Sequence, residues 1–252
     1  WKECIHCQNE MKKLGISDYN ELQGEFSSRI AVILKKHRKK AIIWNDDLQA
    51  NNLPKDILMQ FWTLQYNKQA EEFIQHGGQW IYSDMFELYL DYPYSMTPMK
   101  KIYKIKPHLG KLPVTEKCMP LGFEAAIWTE HIKTEKELEC RLFPRIYAIA
   151  EKTWTKENDY HEFCDRAEQE LRNLETAGIS YTDKEWWDPH GKARQKEAIS
   201  YMKYINGSMS GERRTATIEA TRPNAEFSQA FIKCFFKKRD MLYLIPLLLK
   251  NN

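Results

Sequence analysis

Short apolar runs, each closed by aromatic or polar residues, recur along the first half of the chain. Such a run is typical of a buried β-strand whose carboxyl end meets solvent. The pattern predicts four strands, which end at Trp44, at Trp62, near Ser83 and at Trp128. The last of them, near residues 121–128, leads almost directly into Glu130.

Segments with a helical period of apolar residues lie between and after these strands. The period predicts helices at 21–36, 68–76, 134–142, 146–154, 160–176 and 192–205, with Trp154 on the apolar face of its helix. Strands that alternate with helices indicate a parallel α/β sheet, and the repetition of strand ends favours a barrel over an open sheet. Residues 95–120 lack periodicity and are expected to form a long surface loop.

Composition excludes several classes of partner. The net charge of +3 is the difference between 38 basic and 35 acidic residues, so no strong positive field favours nucleic acid. No apolar run approaches the roughly 20 residues that span a membrane. Of the six cysteines, only Cys4 and Cys7 have the spacing of a metal or redox pair, and no second such pair completes a zinc site. We therefore expect no metal and no cofactor.

The predicted strand ends carry residue types that suit a sugar. Ligands bind at the carboxyl ends of strands in parallel α/β folds. Trp128 and Glu130 are two residues apart, as are Tyr89 and Asp91, so on a strand each pair shares a face. An indole stacks against the C–H face of a sugar ring, and a carboxylate accepts hydrogen bonds from its hydroxyls. One such pair alone is weak evidence, because a tryptophan at a strand end is more often part of the core.

Several of these residues in order resemble glycoside hydrolase family 20, the β-N-acetylhexosaminidases. The matching positions are Trp44, Trp62, Tyr89-Leu90-Asp91, Trp128-Thr129-Glu130 and the helix that begins at Phe143-Pro144-Arg145. The likeness covers residues 1–181. It implies an α/β fold in which the four strands are strands five to eight of a (β/α)8 TIM barrel. Residues 182–252 are then a mostly helical C-terminal extension of unknown role.

The resemblance also implies a role for each matched residue. In this family the substrate's own 2-acetamido oxygen attacks the anomeric carbon, so catalysis is substrate-assisted and retaining. Tyr89 would position the acetamide oxygen, and Asp91 and Glu130 would bind the sugar hydroxyls. Three tryptophans would surround the acetamide methyl: Trp44, Trp62 and Trp128. The expected partners are glycans that contain N-acetylhexosamine, with the choice between GlcNAc and GalNAc left open.

The chain departs from the family in one important respect. The family's catalytic Asp-Glu pair lies at the end of strand four, immediately upstream of the position that Trp1 occupies. Asp46 and Asp47 lie on the wrong strand to replace it. We therefore expect the chain to be a fragment of a longer protein and to be inactive alone. Half a barrel would expose its strand edges, which favours self-association.

Two other functions fit the same residues. The chain could act as a non-catalytic carbohydrate-binding or self-associating half-barrel module. It could also belong to a different barrel glycosidase, with Glu130 as nucleophile or acid and the tryptophans as subsites. Substitution of Glu130 by Gln in the complete enzyme distinguishes these roles. Loss of all turnover would favour the different glycosidase, whereas weaker sugar binding with surviving turnover would favour hydroxyl recognition.

Overall fold

The computed structural model of the chain describes residues 1–156 and 158–208, which fall into two compact units. The first unit contains Trp1–Asp84 and Lys106–Glu124, and the second contains Met85–Ile105 and the described residues from Ala125 onwards. The part of the predicted C-terminal extension beyond residue 208 lies outside the described residues. The predicted division of the chain near residue 181 stays a prediction.

The first unit is built on a parallel sheet of strands β1 (Ile42–Trp44), β2 (Leu58–Phe61) and β3 (Gln79–Tyr82), in that order. The central strand β2 is the most buried of the three. Residues 121–124 extend the sheet beyond β3: the amide of Leu121 donates to the carbonyl of Trp80, and that of Glu124 donates to Tyr82. The predicted α/β class is confirmed.

Three helices complete the first unit: α1 (Ile5–Leu14), α2 (Tyr19–Lys36) and α3 (Asn67–Gln75). Asp18 caps α2 by accepting a hydrogen bond from the amide of Asn20. The chain leaves α3 through Gly77, whose φ of 84° is the left-handed conformation that glycine adopts without strain. Periodicity predicted α2 and α3, whereas α1 was not predicted.

The second unit is helical. Its helices are α4 (Met99–Tyr103), α5 (Glu135–Leu142), α6 (Arg145–Trp154), α7 (Tyr160–Thr176) and α8 (Gly191–Ser208). The side chain of Thr134 caps α5. Helix α7 buries the apolar face that its period predicted: Phe163, Ala167, Leu171 and Leu174. No described helix is both long enough and apolar enough to cross a membrane.

Residues 95–109 do not form the expected surface loop, whereas residues 110–120 contain no buried residue and no α-helix or strand. Residues 99–103 fold into α4, and much of the segment is buried, including Ser95, Met96, Thr97, Met99, Ile102, Tyr103, Ile105 and Leu109. A five-residue helix is too short to show a helical period in the sequence. The prolines around it therefore predicted a loop where the chain is in fact well packed.

The fourth predicted strand is not continuous. Residues 121–124 pair with β3, and Ala126 instead pairs with Tyr89 as an isolated parallel bridge. Because β3 ends at Tyr82, the chain after residue 124 can no longer pair with β3 and pairs with Tyr89 instead. Trp128 and Glu130 lie beyond this bridge in irregular structure, so the strand alternation invoked for them does not apply. Tyr89 and Asp91 also lie outside any regular strand, so strand alternation does not explain their placement either.

Two helical faces also differ from expectation. Trp154, predicted on the apolar face of its helix, is 87% exposed, because α6 ends at this residue. In α8 the helical period of residues 192–205 places Ala193 on the apolar face, but Ala193 is exposed and Ala198 and Tyr201 are buried.

Candidate functional site

In the first unit, the ends of β1 and β2 bring two predicted site residues together. The rings of Trp44 and Trp62 lie 6.4 Å apart at 84°, an edge-to-face arrangement that aromatic pairs favour. The indole N–H of Trp62 donates to Oδ1 of Asp46 at 2.8 Å. Burial, with the nearby charge of Asp46, raises the pKa of the Asp47 carboxyl. The result is a corner of two indoles with carboxylates beside it.

Asn45 holds this corner in place. The residue is fully buried directly after β1. Its Oδ1 accepts a hydrogen bond from the amide of Trp62 at 2.9 Å, and its Nδ2 donates to the carbonyl of Thr63 at 2.9 Å. Because both amide atoms bind the backbone that follows β2, the two strand ends and their tryptophans are fixed together. Nothing in the sequence pattern distinguished Asn45 from its polar neighbours.

A second polar group in the first unit involves Gln60, Ser83 and Glu124. Nε2 of Gln60 donates to Oε1 of Glu124 at 2.6 Å, and Oγ of Ser83 donates to the carbonyl of Glu124 at 2.9 Å. Gln60 is nearly buried on the central strand β2. A glutamine within the apolar run 57–62 was the signal that could have revealed this network, since buried polar groups are normally hydrogen-bonded.

In the second unit, the Tyr89 and Trp128 rings contact each other. Their centroids lie 5.9 Å apart at 52°. The contact follows from the backbone, because the amide of Leu90 donates to the carbonyl of Ala126 and the amide of Ala126 donates to Leu88. Tyr89 is buried, whereas Trp128 remains 43% exposed. Trp128 therefore offers an open aromatic face beside the tyrosine.

Asp91 places a half-buried carboxylate in the same region. Its Oδ1 is buried and has no hydrogen-bond partner among the described residues. Burial raises the pKa of this carboxyl, although the backbone N–H groups of Asp91 and Trp128 and the charge of Arg145 act in the opposite direction. A carboxylate oxygen in that state suits a ligand hydroxyl that donates to it. Glu130 is exposed.

Arg145 fixes the segment that carries these residues, and sequence reasoning gave it no such role. The guanidinium is fully buried and donates to the carbonyls of Leu90 at 2.6 Å, Thr97 at 3.2 Å and Arg141 at 2.7 Å. It also lies 4.3 Å from the ring centre of Tyr94. Burial lowers the pKa of Arg145 to about 10, so it stays charged at neutral pH.

The comparison with protein families decides where the chain belongs. The model described as "Glycosyl hydrolase family 20, catalytic domain" matches residues 1–157. The chain belongs to glycosyl hydrolase family 20.

Curated β-hexosaminidases and a solved family 20 structure resemble it over much of its length. A β-hexosaminidase of Porphyromonas gingivalis is 29% identical over 202 residues, which are 72% of this chain and 25% of that protein. The β-hexosaminidase subunit alpha of Rattus norvegicus is 29% identical over 62% of this chain and 30% of that protein. The crystal structure of a family 20 exo-β-N-acetylglucosaminidase from Vibrio harveyi in complex with N-acetylglucosamine superposes with a TM-score of 0.62 at 25% identity, over 73% of this chain and 31% of that one.

The chain thus spans about a quarter to a third of the length of these relatives. Within each unit, the structure brings predicted site residues into contact: Trp44 with Trp62, and Tyr89 with Trp128. In the described residues, no group of three or more His, Cys, Asp or Glu side chains is arranged to hold a metal ion.

Proposed function

We propose that the chain is the C-terminal portion of a β-N-acetylhexosaminidase barrel, which removes terminal N-acetylhexosamine from glycans by substrate-assisted, retaining catalysis. The observation that carries this proposal is the contact between Tyr89 and Trp128 beside the half-buried carboxyl of Asp91. It combines an aromatic face, a phenol and an acceptor in one short stretch of structure. The names of the relatives, β-hexosaminidases, support the substrate class.

Each site residue has a defined task in this function. The Tyr89 hydroxyl donates to the acetamide oxygen and holds it for attack on the anomeric carbon, a proximity effect worth about 7 kcal/mol or more in ideal cases. Asp91 and Glu130 accept hydrogen bonds from the sugar hydroxyls. Trp44 and Trp62 are proposed to contact the acetamide methyl, and Trp128 is proposed to contact the acetamide methyl and the sugar ring.

The partial barrel belongs to the same proposal. Strands β1, β2 and β3 and residues 121–124 would be strands five to eight of the barrel, which agrees with their parallel pairing in sequence order. The family's acid pair would come from a part of the protein outside this chain. The polypeptide described here would then bind but not hydrolyse.

The test compares two proteins on 4-nitrophenyl N-acetyl-β-glucosaminide and on its galactosamine counterpart. One is this chain, and the other is the product of the longest reading frame that contains it. We expect turnover from the longer protein alone. In that protein, Tyr89→Phe should lower kcat by about 100- to 1000-fold, the usual effect of deleting one donor to a developing charge.

Tyr66→Phe is the matched control, because Tyr66 ends the 3₁₀ turn Leu64–Tyr66 in the first unit and has no proposed contact with the sugar. It should leave kcat within about twofold of wild type. Binding of N-acetylglucosamine without turnover in the longer protein would support the non-catalytic alternative. Unaltered kcat in Tyr89→Phe would contradict the role of this tyrosine.

A further inference from the structure

Helix α8 presents one face to the segment that carries Asp91. Arg194, Ala198 and Tyr201 are spaced four and three residues apart, so they lie on the same side of the helix. Nε of Arg194 donates to the carbonyl of Ser95 at 2.7 Å, and the hydroxyl of Tyr201 donates to the carbonyl of Asp91 at 3.4 Å. Ala198, between them, is completely buried. Helix α8 therefore forms a hydrogen bond to each end of the segment 91–95.

Tyr201 also contacts the chain that follows Glu130. Its ring centroid lies 6.4 Å from that of His131 and 6.2 Å from that of Tyr92, both in edge-to-face geometry. The guanidinium of Arg141 lies 5.5 Å from the same ring. His131 directly follows Glu130, and Tyr92 directly follows Asp91. One buried tyrosine thus packs against the residues next to both proposed hydroxyl-binding carboxylates.

Electrostatics couple Tyr201 to Asp91 in addition. Burial raises the pKa of the Tyr201 hydroxyl, and the negative charge of Asp91 raises it further. The tyrosine therefore stays protonated and remains a donor. The family model matches residues 1–157, so α8 lies beyond the part of the chain that the family pattern describes.

We propose that α8 is a positioning element of the sugar site, and that Tyr201 orients Asp91 for the hydroxyls of the terminal N-acetylhexosamine. This inference rests on the proposed function. Tyr201 does not touch the sugar in this scheme. It acts by holding the Asp91 backbone and by packing between Tyr92 and His131, which gives a role to part of the C-terminal extension.

The first experiment uses the longer protein and a double-mutant cycle. Tyr201→Ala should lower kcat/KM for 4-nitrophenyl N-acetyl-β-glucosaminide by about 10- to 100-fold, because small displacements of a positioning group are costly. The same substitution in an Asp91→Asn background should cost less than about twofold, since the group that it positions is already altered. Tyr201→Phe keeps the ring packing but removes the donor to the Asp91 carbonyl, so it should recover only part of the loss.

A merely structural role predicts a different pattern. Equal losses from Tyr201→Ala in both backgrounds would overturn the proposal, as would full activity in Tyr201→Ala. Lys196→Ala, an exposed position on the same helix, is the control and should leave kcat/KM unchanged. If the wild-type longer protein turns over neither substrate, the proposed function is contradicted. If it is active but the Tyr201 and Asp91 substitutions show no coupling, only the positioning role of Tyr201 is contradicted.

A second measurement on this chain does not depend on activity. Hydrogen exchange should become faster at the amides of residues 89–92 in Tyr201→Ala, by about 10-fold or more, and stay at the wild-type rate in Lys196→Ala. Exchange at α7, which buries its own apolar face, should not change. Unaltered exchange at residues 89–92 would show that α8 does not hold this segment.

Discussion

Arg145 shows how much a single buried side chain can determine. A guanidinium without solvent contact donates to three backbone carbonyls, and two of these, Leu90 and Thr97, belong to the segment on either side of Asp91. Removal of the guanidinium leaves those carbonyls buried without a donor. The residue thus links the stability of the second unit to the geometry of its site.

We predict that Arg145→Met lowers the free energy of unfolding of this chain by about 3–5 kcal/mol, because each buried carbonyl left without a donor costs about 1–3 kcal/mol. Arg145→Lys should recover little of this stability, because an ammonium group does not reproduce the planar arrangement of N–H donors of a guanidinium. Urea denaturation measures both. Arg172→Met, at an exposed position of α7, is the control and should change stability by less than about 0.5 kcal/mol. A loss of similar size in Arg172→Met would contradict the special role of Arg145.

Asp91 gives a prediction about pH. Its pKa is raised in the folded protein, chiefly by burial, so folding favours the protonated acid. The unfolded chain then binds fewer protons between the ordinary aspartate pKa of about 3.9 and the raised folded value. Stability therefore falls as pH rises through that interval. The cost is complete above the folded pKa and absent well below the unfolded one.

Asp91→Asn removes this dependence. Its stability relative to wild type should therefore increase between about pH 3.5 and pH 7, as measured by urea denaturation at several pH values. In the longer protein the same substitution should weaken sugar binding, so stability and function change in opposite directions. A stability difference between the two proteins that is independent of pH would contradict the assignment.

Residue types were predictable at this scale, and their contacts were not. The sequence predicted that Tyr89, Asp91 and Trp128 belong together, because sugars require aromatic faces and acceptors. It assigned them to strands, yet their contact comes from one isolated bridge between Tyr89 and Ala126. The contacts of the buried donors Asn45 and Arg145 were not predicted, because a polar residue in the sequence carries no sign of what it will bind.

At the scale of elements, Gly24 shows that packing can outweigh helix propensity. The residue lies in the middle of α2 and is buried. A Cβ placed there would lie 2.6 Å from Cβ of Ala50, well inside van der Waals contact. Nδ2 of Asn52 donates to the carbonyl of Glu21, and Oγ of Ser28 donates to the carbonyl of Asn52. The glycine therefore permits α2 to approach this turn.

We predict that Gly24→Ala destabilises the chain by at least about 1 kcal/mol, even though alanine favours an isolated helix by a similar amount. Thermal or urea denaturation measures the change. Gly122→Ala is the matched control, since a Cβ at Gly122 meets no atom within 4 Å. Stabilisation by Gly24→Ala would mean that α2 does not pack closely against Ala50 and Asn52.

Element prediction succeeded where a period had room to repeat. Helices α2 and α7 have 18 and 17 residues, and the sequence located both closely. Helix α4 has five residues and follows Pro98, so composition outweighed any period. Helix α1 has a mostly polar sequence and buries only Met11, which left no apolar stripe to detect. The helices that the sequence pattern missed are therefore the short helix α4 and the polar helix α1.

At the scale of the whole molecule, a large apolar surface remains exposed on α2. Phe26, Ile30 and Ile33 lie on one side of the helix at spacings of four and three, and Phe26 is 61% exposed. Beside them is an apolar cleft of about 400 Å³, lined in part by Leu14, Leu22 and Phe26. A contiguous apolar surface of this kind usually contacts another protein surface.

We predict that this chain self-associates when expressed alone, through the exposed face of α2. Sedimentation equilibrium should reveal a concentration-dependent mass, and the double substitution Phe26→Gln/Ile30→Gln should raise the dissociation constant by at least about 10-fold, because less apolar area is buried in the complex. Trp154→Gln removes a more exposed aromatic side chain from the second unit and should leave association unchanged.

In the longer protein, other parts of the proposed barrel should cover this surface of α2. The measured mass of the longer protein should therefore not depend on the α2 substitutions. A monomeric chain at all concentrations, or equal effects of both sets of substitutions, would show that α2 is not the associating surface.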